Sequence, residues 1–199
     1  MDPMPVLETA RLSIRPFRLE DLEAVHRLLG VEIDAVVLHT EKTDSIQARA
    51  EWLQWTVLNY AQLAILNQPP YGDRAVILRH TDELIGSCGF VPCLNSFEQI
   101  PGFGQIQDTS RQVCTSAEFG LFYAIAPSQR RQGYAVEAAR ALLSYAFQQL
   151  QLRRVIATTD YDNIGSIGVM KKLGMRIEKN PRPDPPWLQV VGVLEAAEE

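Results

Sequence analysis

The sequence has few cysteines, and their arrangement suits neither a metal site nor a disulfide framework. Cys88, Cys93 and Cys114 are the three cysteines in 199 residues. Their number is odd, and their spacing matches no CxxC zinc pattern. A disulfide-rich secreted fold is therefore excluded, and we expect a reducing, cytoplasmic environment.

Long apolar runs and an excess of basic residues are also absent. No stretch approaches the roughly 18 apolar residues of a membrane span, and we expect no signal peptide. Lys and Arg total 19 against 24 Asp and Glu, which gives a formal net charge of -5. We therefore expect neither nucleic acid nor membrane as a partner, and any anion site must be built locally. The three histidines lie far apart, so no metal is expected.

What is present is the composition of a globular protein. Hydrophobic residues make up 46% of the chain and charged residues 22%, which argues against disorder and fibrous repeats. A chain of this length fits one sizeable domain better than two. With no internal repeat or linker in view, we predict a single domain over residues 1–199.

The first half of the chain predicts a strand, two helices and a hairpin. Apolar and polar residues alternate over 11–16, which predicts a strand. Helical spacing predicts a helix that begins near Asp21 and stops at Gly30, and a second helix over 45–66. After a Pro- and Gly-rich break, the apolar period shortens to about two residues. The strands of the resulting hairpin are expected at 74–79 and 84–91.

The second half predicts a long loop and then alternating strands and helices. Residues 92–112 show little periodicity, so we expect either a loop that covers substrate or a mobile surface loop. Glu118–Ala126 is nearly all apolar, which predicts a central strand buried on both faces. Apolar residues at helical spacing predict a strong helix over Tyr134–Leu150. The remaining elements are a strand at 155–159, a helix at 164–173, and strands at 175–178 and 188–194.

The connection from the central strand into the strong helix predicts an anion site. The first amides of a helix lack internal partners and carry the positive end of its dipole. Gly133 permits close approach, Ala135 is small, and Arg130 and Arg131 add positive charge. This segment suits a phosphate or pyrophosphate, although a solvated helix start with an arginine pair has the same pattern. It matches neither the nucleotide P-loop nor the Rossmann pattern.

Four segments, in fixed order, carry a family resemblance. R-R-Q-G-Y-A at 130–135 resembles the R/Q-x-x-G-x-G/A signature with which the GNAT (general N-acetyltransferase) superfamily holds the coenzyme A pyrophosphate. L-E-T-A-R-L at 7–12 and G-Y-A-V-E-A at 133–138 are similar to its ribosomal-protein N-terminal acetyltransferase branch. The segment N-I-G-S at 163–166, together with the lysine and glycine that follow it, is also similar to that branch. The likeness spans residues 7–194.

The resemblance implies an α+β GNAT fold and acetyl-CoA as a co-substrate. The fold is a mixed, mostly antiparallel sheet of about seven strands, flanked by helices and splayed at the cofactor site. The resemblance further implies that backbone groups of Tyr123, Ala124 and Ile125 pair with the pantetheine arm. The implied pyrophosphate site comprises Arg130, Arg131, Gln132, Gly133, Tyr134 and Ala135.

Acetyl transfer to an amine needs a proton acceptor and a proton donor for the leaving thiolate. Glu118 opens an otherwise apolar strand and is the candidate base, with a solvated strand end as the alternative. Many GNAT enzymes offer a Tyr donor at a position that is Met170 here, so the resemblance implies Ser166 instead. Ser166 could otherwise bond only to backbone. Asn163 is expected to contact the pantetheine arm, to cap a helix, or both.

These features predict an acetyl-CoA-dependent N-acetyltransferase acting on a primary amine by direct attack. A protein or peptide N-terminus is one candidate acceptor, and a small-molecule amine is another. The sequence is also compatible with a non-catalytic acyl-CoA-binding sensor or with a nucleotide-phosphate binder. The acceptor surface is expected from 31–72 and 92–112. The apolar strand at 188–194 is either core or the interface of a homodimer.

Overall fold

The computed structural model describes residues 4–33, 45–103, 114–182 and 184–196. The described strands are β1 (Leu7–Glu8), β2 (Leu12–Pro16), β3 (Gly72–Leu78), β4 (Glu83–Asn95), β5 (Ser116–Ile125), β6 (Arg154–Thr159), β7 (Arg176–Lys179) and β8 (Val190–Glu195). The described α-helices are α1 (Leu22–Val25), α2 (Ile46–Ile65), α3 (Tyr134–Gln148) and α4 (Ile164–Lys172). The strands form one sheet in the order β1-β2-β3-β4-β5-β6-β8-β7.

The chain divides into two compact units. The first comprises Met1–Phe90 and Tyr123–Leu142, and the second comprises Val91–Phe122 and Leu143–Glu199. The elements β4, β5 and α3 each contribute residues to both units. The single domain expected from the sequence stays a prediction.

The first unit is an antiparallel sheet covered by helices. In β2, Leu12 and Ile14 are fully buried, while Ser13 and Arg15 are only partly buried, as the alternating pattern predicts. β2 pairs antiparallel with β1 and β3, and β3 pairs antiparallel with β4. The turn from β2 to α1 is closed by two hydrogen bonds of 2.7 and 2.8 Å from Arg15 to Asp21. The core on the helix side contains Phe17, Val25, Leu28, Leu29, Ile33, Leu53, Ala75, Ile77, Leu84, Ala124 and Ala126.

The second unit is built around β8. This strand lies between β6 and β7 and pairs antiparallel with both. β5 pairs with β6 in parallel, with Gly120 opposite Ile156. One core cluster contains Phe97, Ile100, Ile156, Leu188, Val191 and Val193. A second cluster contains Ala157, Met170 and Met175.

The predicted mixed, mostly antiparallel sheet with flanking helices is confirmed. The described sheet has eight strands rather than about seven, because Leu7 and Glu8 pair with Ile14 and Ser13 to form the additional β1. The prediction that the last strand belongs to the core is also confirmed, since β8 is an interior strand with buried valines. The homodimer stays a prediction.

The predicted helix stop at Gly30 is wrong. The chain continues as a π-helical segment over His26–Glu32, and Gly30 lies buried inside it. A single glycine within a helix costs only about 1 kcal/mol. Burial of Leu28 and Leu29 on the core side of this segment outweighs that cost.

The predicted loop over 92–112 is wrong in its first part. β4 continues to Asn95, and Phe97–Gln99 forms a 3-10 helix. Residues 91–95 alternate between partly buried and exposed positions, and Pro92 occupies an exposed one. Phe97 then anchors the chain as a fully buried residue. Residues 104–112 lie outside the described residues.

The prediction that the central strand is buried on both faces is wrong. β5 begins with exposed residues at Ser116 and Ala117, and four of its other residues are only partly buried. Its apolar composition indicates a strand, but composition alone does not determine which faces other elements cover.

Gly86 gives a test of how tightly β4 packs against β5. A Cβ at this position would collide with the carbonyl oxygen of Ala124 and the side chain of Ile125. Because backbone cannot move aside cheaply, Gly86→Ala is expected to lower the free energy of unfolding by about 1–3 kcal/mol. Urea denaturation followed by circular dichroism measures this loss.

Gly168 supplies the matched control for that substitution. It lies inside α4, and a Cβ there meets nothing within 4 Å. Gly168→Ala is expected to stabilise the protein by about 0.5–1 kcal/mol, because alanine loses less conformational freedom in a helix. Equal losses in both variants would contradict the packing described for Gly86.

Candidate active site

The loop between β5 and α3 has an unusual backbone that opens onto a helix start. A 3-10 turn over Pro127–Gln129 leaves β5, and the loop then enters α3. Arg131 and Gly133 adopt positive φ values of 64° and 86°. A left-handed conformation costs a non-glycine residue roughly 1–2 kcal/mol, whereas glycine adopts it freely. The carbonyl of Gly133 accepts the first helical hydrogen bond, from the Glu137 amide at 3.0 Å.

Positive charge surrounds this helix start. Arg130 and Arg131 are both exposed, together with Gln132 and Gly133. The Nε of Arg130 donates to the carbonyl of Ile125 at 3.1 Å, which ties the loop to the end of β5. The N-terminal amides of α3 add the positive end of the helix dipole. This arrangement can hold an anion through backbone donors and guanidinium groups together.

A cluster around Glu137, in the first turn of α3, holds the loop in place. One carboxylate oxygen accepts from the Thr9 hydroxyl at 2.6 Å and from the Arg11 amide at 2.9 Å. The other accepts from Nε of Arg11 at 2.7 Å. Arg11 also donates to the carbonyl of Gln132 at 3.0 Å and lies 4.4 Å above the Tyr134 ring. We call this set of residues the Glu137 clamp: Thr9, Arg11, Gln132, Tyr134 and Glu137.

The Glu137 clamp depends on an ionised carboxylate. Partial burial alone would raise the pKa of Glu137, but the hydrogen bonds from Thr9 and Arg11 outweigh it. They hold the pKa of Glu137 below its ordinary value of 4.5. These contacts give Glu137 a structural role at the start of α3. Sequence reasoning missed the partners, because L-E-T-A-R-L lies far from α3 in the chain.

The first unit brings together the two groups of residues expected to hold the cofactor. Tyr123, Ala124 and Ile125 form the end of β5, and the loop from Arg130 to Ala135 follows. The amide of Ala126 donates to the carbonyl of Ile85 at 2.8 Å, so this end of β5 is held by β4.

Asn163 and Ser166 lie together in the second unit, at the start of α4. The Asn163 carbonyl oxygen accepts from the Ser166 amide at 3.1 Å, so Asn163 caps the helix. This confirms the capping interpretation of Asn163. The cofactor role of Asn163 and the catalytic role of Ser166 stay predictions.

Glu118 has a partner that the sequence did not indicate. Nε of Arg154 donates to its carboxylate at 2.9 Å, and a second guanidinium nitrogen contacts the other oxygen. Arg154 also lies 4.7 Å from the Phe103 ring. The expected apolar surroundings of Glu118 are thus replaced by a bidentate ion pair. No local pattern could have revealed it, because the parallel pairing of β5 and β6 brings the two residues together.

The buried thiols and Met170 do not supply reactive groups. Burial raises the pKa of Cys88 to about 12 and that of Cys93 to about 11, so both stay protonated near neutral pH. Met170 is fully buried and packs against Gly192. These three positions are therefore structural.

The part of the chain that the structure describes contains neither a metal cluster nor a membrane span. Within it, no group of three or more His, Cys, Asp or Glu side chains is placed to hold a metal ion. No helix in the same residues is both long and apolar enough to cross a bilayer.

Comparison with known proteins decides the family. A model of the acetyltransferase (GNAT) domain matches residues 11–176. The chain belongs to the GNAT acetyltransferase family. The N-acetyltransferase YnaD of Bacillus subtilis (strain 168), itself uncharacterized, is 31% identical over 176 residues, covering 86% of this chain and 83% of that protein. YkkB of the same organism is 30% identical over 197 residues, covering 98% and 97%.

Solved structures of GNAT proteins share the fold. A GNAT acetyltransferase from Bacillus anthracis superposes with a TM-score of 0.66 at 23% identity, covering 95% of this chain and 96% of that one. The ribosomal-protein-S5-alanine acetyltransferase from Vibrio fischeri gives 0.65 at 12% identity, covering 96% and 97%. The predicted GNAT fold and the class of N-acetyltransferase are thereby confirmed.

The Glu137 clamp predicts a specific loss on mutation. Glu137→Gln keeps the shape of the side chain but removes the charge that Thr9 and Arg11 contact. We expect the free energy of unfolding at pH 7 to fall by about 1–3 kcal/mol. Because the pKa of Glu137 is lowered by folding, this contribution is present above pH 4.5 and lost as the pH falls through the folded-state pKa.

The control for this substitution is Glu23→Gln. Glu23 is an exposed carboxylate in the first turn of α1, within the same unit. Its substitution is expected to change stability by less than about 0.5 kcal/mol. Denaturant unfolding from pH 3 to pH 8 compares the variants. A Glu137→Gln deficit that persists unchanged at pH 3 would show that the ionised carboxylate is not the cause.

Proposed function

We propose that the protein transfers an acetyl group from acetyl-CoA to a primary amine by direct attack of the amine. The observation that carries this proposal is the loop before α3. It combines left-handed backbone at Arg131 and Gly133 with a 15-residue helix behind it. Two arginines and a helix start are suited to the two phosphates of a pyrophosphate.

The residues of this loop fit such a group. A Cβ at Gly133 would have only a guanidinium nitrogen of Arg11 within 4 Å, at 3.4 Å, so the backbone is open on the other sides. A pyrophosphate would be held here by backbone amides and by exposed guanidinium groups. The proposed holding residues are Arg130, Arg131, Gln132, Gly133, Tyr134 and Ala135.

The proposed role of the end of β5 is to hold the pantetheine arm by backbone hydrogen bonds. Tyr123, Ala124 and Ile125 are the residues concerned, and Arg130 links them to the loop through Ile125. Contacts of Asn163 and Ser166 with the cofactor are part of the same proposal. When bound, acetyl-CoA supplies an activated acetyl thioester.

Proton transfer is assigned to side chains of this chain. Ser166 is proposed as the donor to the leaving thiolate. Glu118 is the proposed base from the sequence, but both of its carboxylate oxygens are engaged by Arg154. A proton could reach Glu118 only if this ion pair opened or if a water carried the proton to a remaining lone pair.

The acceptor proposed is an amine, with a protein or peptide N-terminus as the preferred class. The likeness to a ribosomal-protein-S5-alanine acetyltransferase supports this class, together with the branch-like segments at 7–12 and 133–138. A small-molecule amine is the second class. Amines of both classes should therefore be tested as acceptors in the same assay.

A non-catalytic acyl-CoA sensor is the second candidate function. It is favoured by the buried Met170 at the position where many GNAT enzymes carry a Tyr donor. The ion-paired state of Glu118 favours it as well. Tight acetyl-CoA binding without thiol release in the presence of any amine would support the sensor over the enzyme.

Charge removal at the loop tests the pyrophosphate site. The double substitution of Arg130→Ala and Arg131→Ala is expected to weaken acetyl-CoA binding at least about tenfold, because two charge-assisted contacts are lost. Isothermal titration with acetyl-CoA measures the change. Arg153→Ala, an exposed arginine outside this loop, is the matched control and should bind as the wild type does.

The donor role of Ser166 has its own test. Ser166→Ala removes the hydroxyl but keeps the amide that Asn163 caps, so the helix start is preserved. We expect turnover to fall by about tenfold or more with unchanged acetyl-CoA affinity. Thiol release measures turnover, and Ser144→Ala on the exposed face of α3 is the control. A wild-type rate in Ser166→Ala would remove Ser166 from the mechanism.

A further inference from the structure

Asp73 is a carboxylate without an assigned role near the start of β3. It pairs with Gly89 of β4 across the sheet. The Ser87 hydroxyl donates to its carboxylate at 2.8 Å. The residue as a whole is partly exposed. Its own carbonyl accepts from the Tyr60 hydroxyl, which fixes the backbone at this point.

The carboxylate of Asp73 differs from the other shielded carboxylates in its partners. Four others each accept from an arginine: Asp21 from Arg15, Glu118 from Arg154, Glu137 from Arg11, and Glu178 from Arg176. Across the part of the chain that the structure describes, Asp73 forms no such ion pair: the neutral hydroxyl of Ser87 donates to its carboxylate, and the Arg49 guanidinium acts on it only at longer range. A cationic group would therefore not have to displace a bound arginine.

The surroundings of Asp73 suit a base. Burial raises the pKa of Asp73, and the Ser87 hydroxyl and the Arg49 guanidinium only partly oppose that effect. A carboxyl whose pKa is raised is a better proton acceptor than an ordinary one, provided that it is ionised when the substrate binds. Arg49 favours the ionised form.

The helix α2, whose Arg49 and Tyr60 act on Asp73, carries two polar atoms without hydrogen-bond partners among the described residues. Arg49 is mostly buried, and its Nε has no hydrogen-bond partner among the described residues. The same holds for the hydroxyl of Thr56, one turn before Tyr60. Buried polar atoms normally find a partner in protein, water or ligand. This part of the first unit therefore has the polar capacity to receive a ligand group.

Asp73 lies on β3, and β4 separates this strand from β5, which carries the segment proposed to hold the pantetheine arm. Gly86 of β4 lies against Ala124 of β5. Gly89, which pairs with Asp73, comes further along β4. The strands β4 and β5 run in opposite directions. Moving along β4 from Gly86 to Gly89 therefore corresponds to moving along β5 from Ala124 toward Tyr123. A single strand, β4, thus lies between Asp73 and the strand proposed to hold the arm.

We propose that Asp73 binds the ammonium group of the acceptor and takes its proton before acetyl transfer. The inference rests on the proposed function and names the base for it. One N–H bond of the ammonium breaks, and an O–H bond forms on Asp73. The neutral nitrogen then forms the N–C bond to the acetyl carbonyl carbon as the C–S bond breaks. The sulfur leaves with the electron pair and receives a proton from a donor, and the nitrogen releases its second proton to solvent as the amide forms.

The experiment compares Asp73→Asn with Asp82→Asn. Asp82 is an exposed residue at the tip of the same hairpin, with a left-handed φ of 57° that Asn also tolerates. Acetyl-CoA and peptides that begin with Ala, Ser or Met, together with spermidine, are the probes. We expect kcat/KM to fall about 100-fold or more in Asp73→Asn. Asp82→Asn should stay within about twofold of wild type, and acetyl-CoA affinity should be unchanged in both.

The pH profile separates a base from a structural residue. Because Asp73 must be ionised, kcat/KM should rise with pH through its pKa, and Asp73→Asn should abolish that acidic limb. Ser87→Ala removes a hydrogen bond that lowers the pKa of Asp73, so its acidic limb should move to higher pH. The other groups that act on Asp73 do not titrate there: Arg49 stays charged, and Tyr60 and Cys88 each have a pKa of about 12.

The outcomes distinguish a failure of the proposed acetyltransferase function from a failure of the role inferred for Asp73. If the wild type acetylates none of the probes, the proposed function fails and the inference fails with it. If the wild type is active and Asp73→Asn matches it, only the inference is overturned. Should Asp73→Asn fail to fold, Ser87→Ala decides: a shifted acidic limb supports Asp73 as the base, and an unshifted limb contradicts it.

Discussion

The Glu137 carboxylate is the interaction on which the candidate site depends. It accepts hydrogen bonds from Thr9 and from both the backbone and the side chain of Arg11. Arg11 then reaches the carbonyl of Gln132, inside the loop that would hold a pyrophosphate. Left-handed backbone at two positions is not maintained by local preference alone, so the surrounding structure must hold the loop. Fastening it to the β1–β2 connection keeps the amides at the start of α3 oriented for an anion before one arrives.

This arrangement explains how an acidic chain can contain an anion site. The net charge of -5 opposes anion binding over the whole surface. The carboxylate nearest the loop is neutralised by Arg11, while Arg130 and Arg131 remain exposed. The electrostatic potential at this loop is therefore set by backbone amides and two guanidinium groups. Asp73 is the opposite case, because it forms no ion pair with an arginine among the described residues.

Much of the fold could be predicted because local patterns coincide with packing. Alternation in β2 and helical spacing in α3 identified both elements, and the glycine at the start of α3 located the loop. The continuation of β4 was missed because Pro92 interrupts the pattern at an exposed position. Gly30 led to the opposite error. It predicted the end of a helix, whereas core packing allows the π-helical segment to continue past it.

The site was harder to predict because its partners are distant in sequence. The Glu118–Arg154 pair depends on parallel pairing of β5 with β6, which no local pattern encodes. Asp73 and Ser87 meet only through the register of β3 with β4. A family resemblance transfers roles to matching positions, but it does not show which carboxylates are already engaged.

The most direct test of the central claim compares ligands that share the thioester but differ in the pyrophosphate. Acetyl-CoA and acetyl-pantetheine would be titrated into the protein, with ATP as a competitor. If the loop before α3 is the pyrophosphate site of an acetyltransferase, acetyl-CoA should bind about 100-fold or more tightly than acetyl-pantetheine. ATP should compete only weakly. Equal affinity for the two thioesters, or competition by ATP at comparable affinity, would contradict the account.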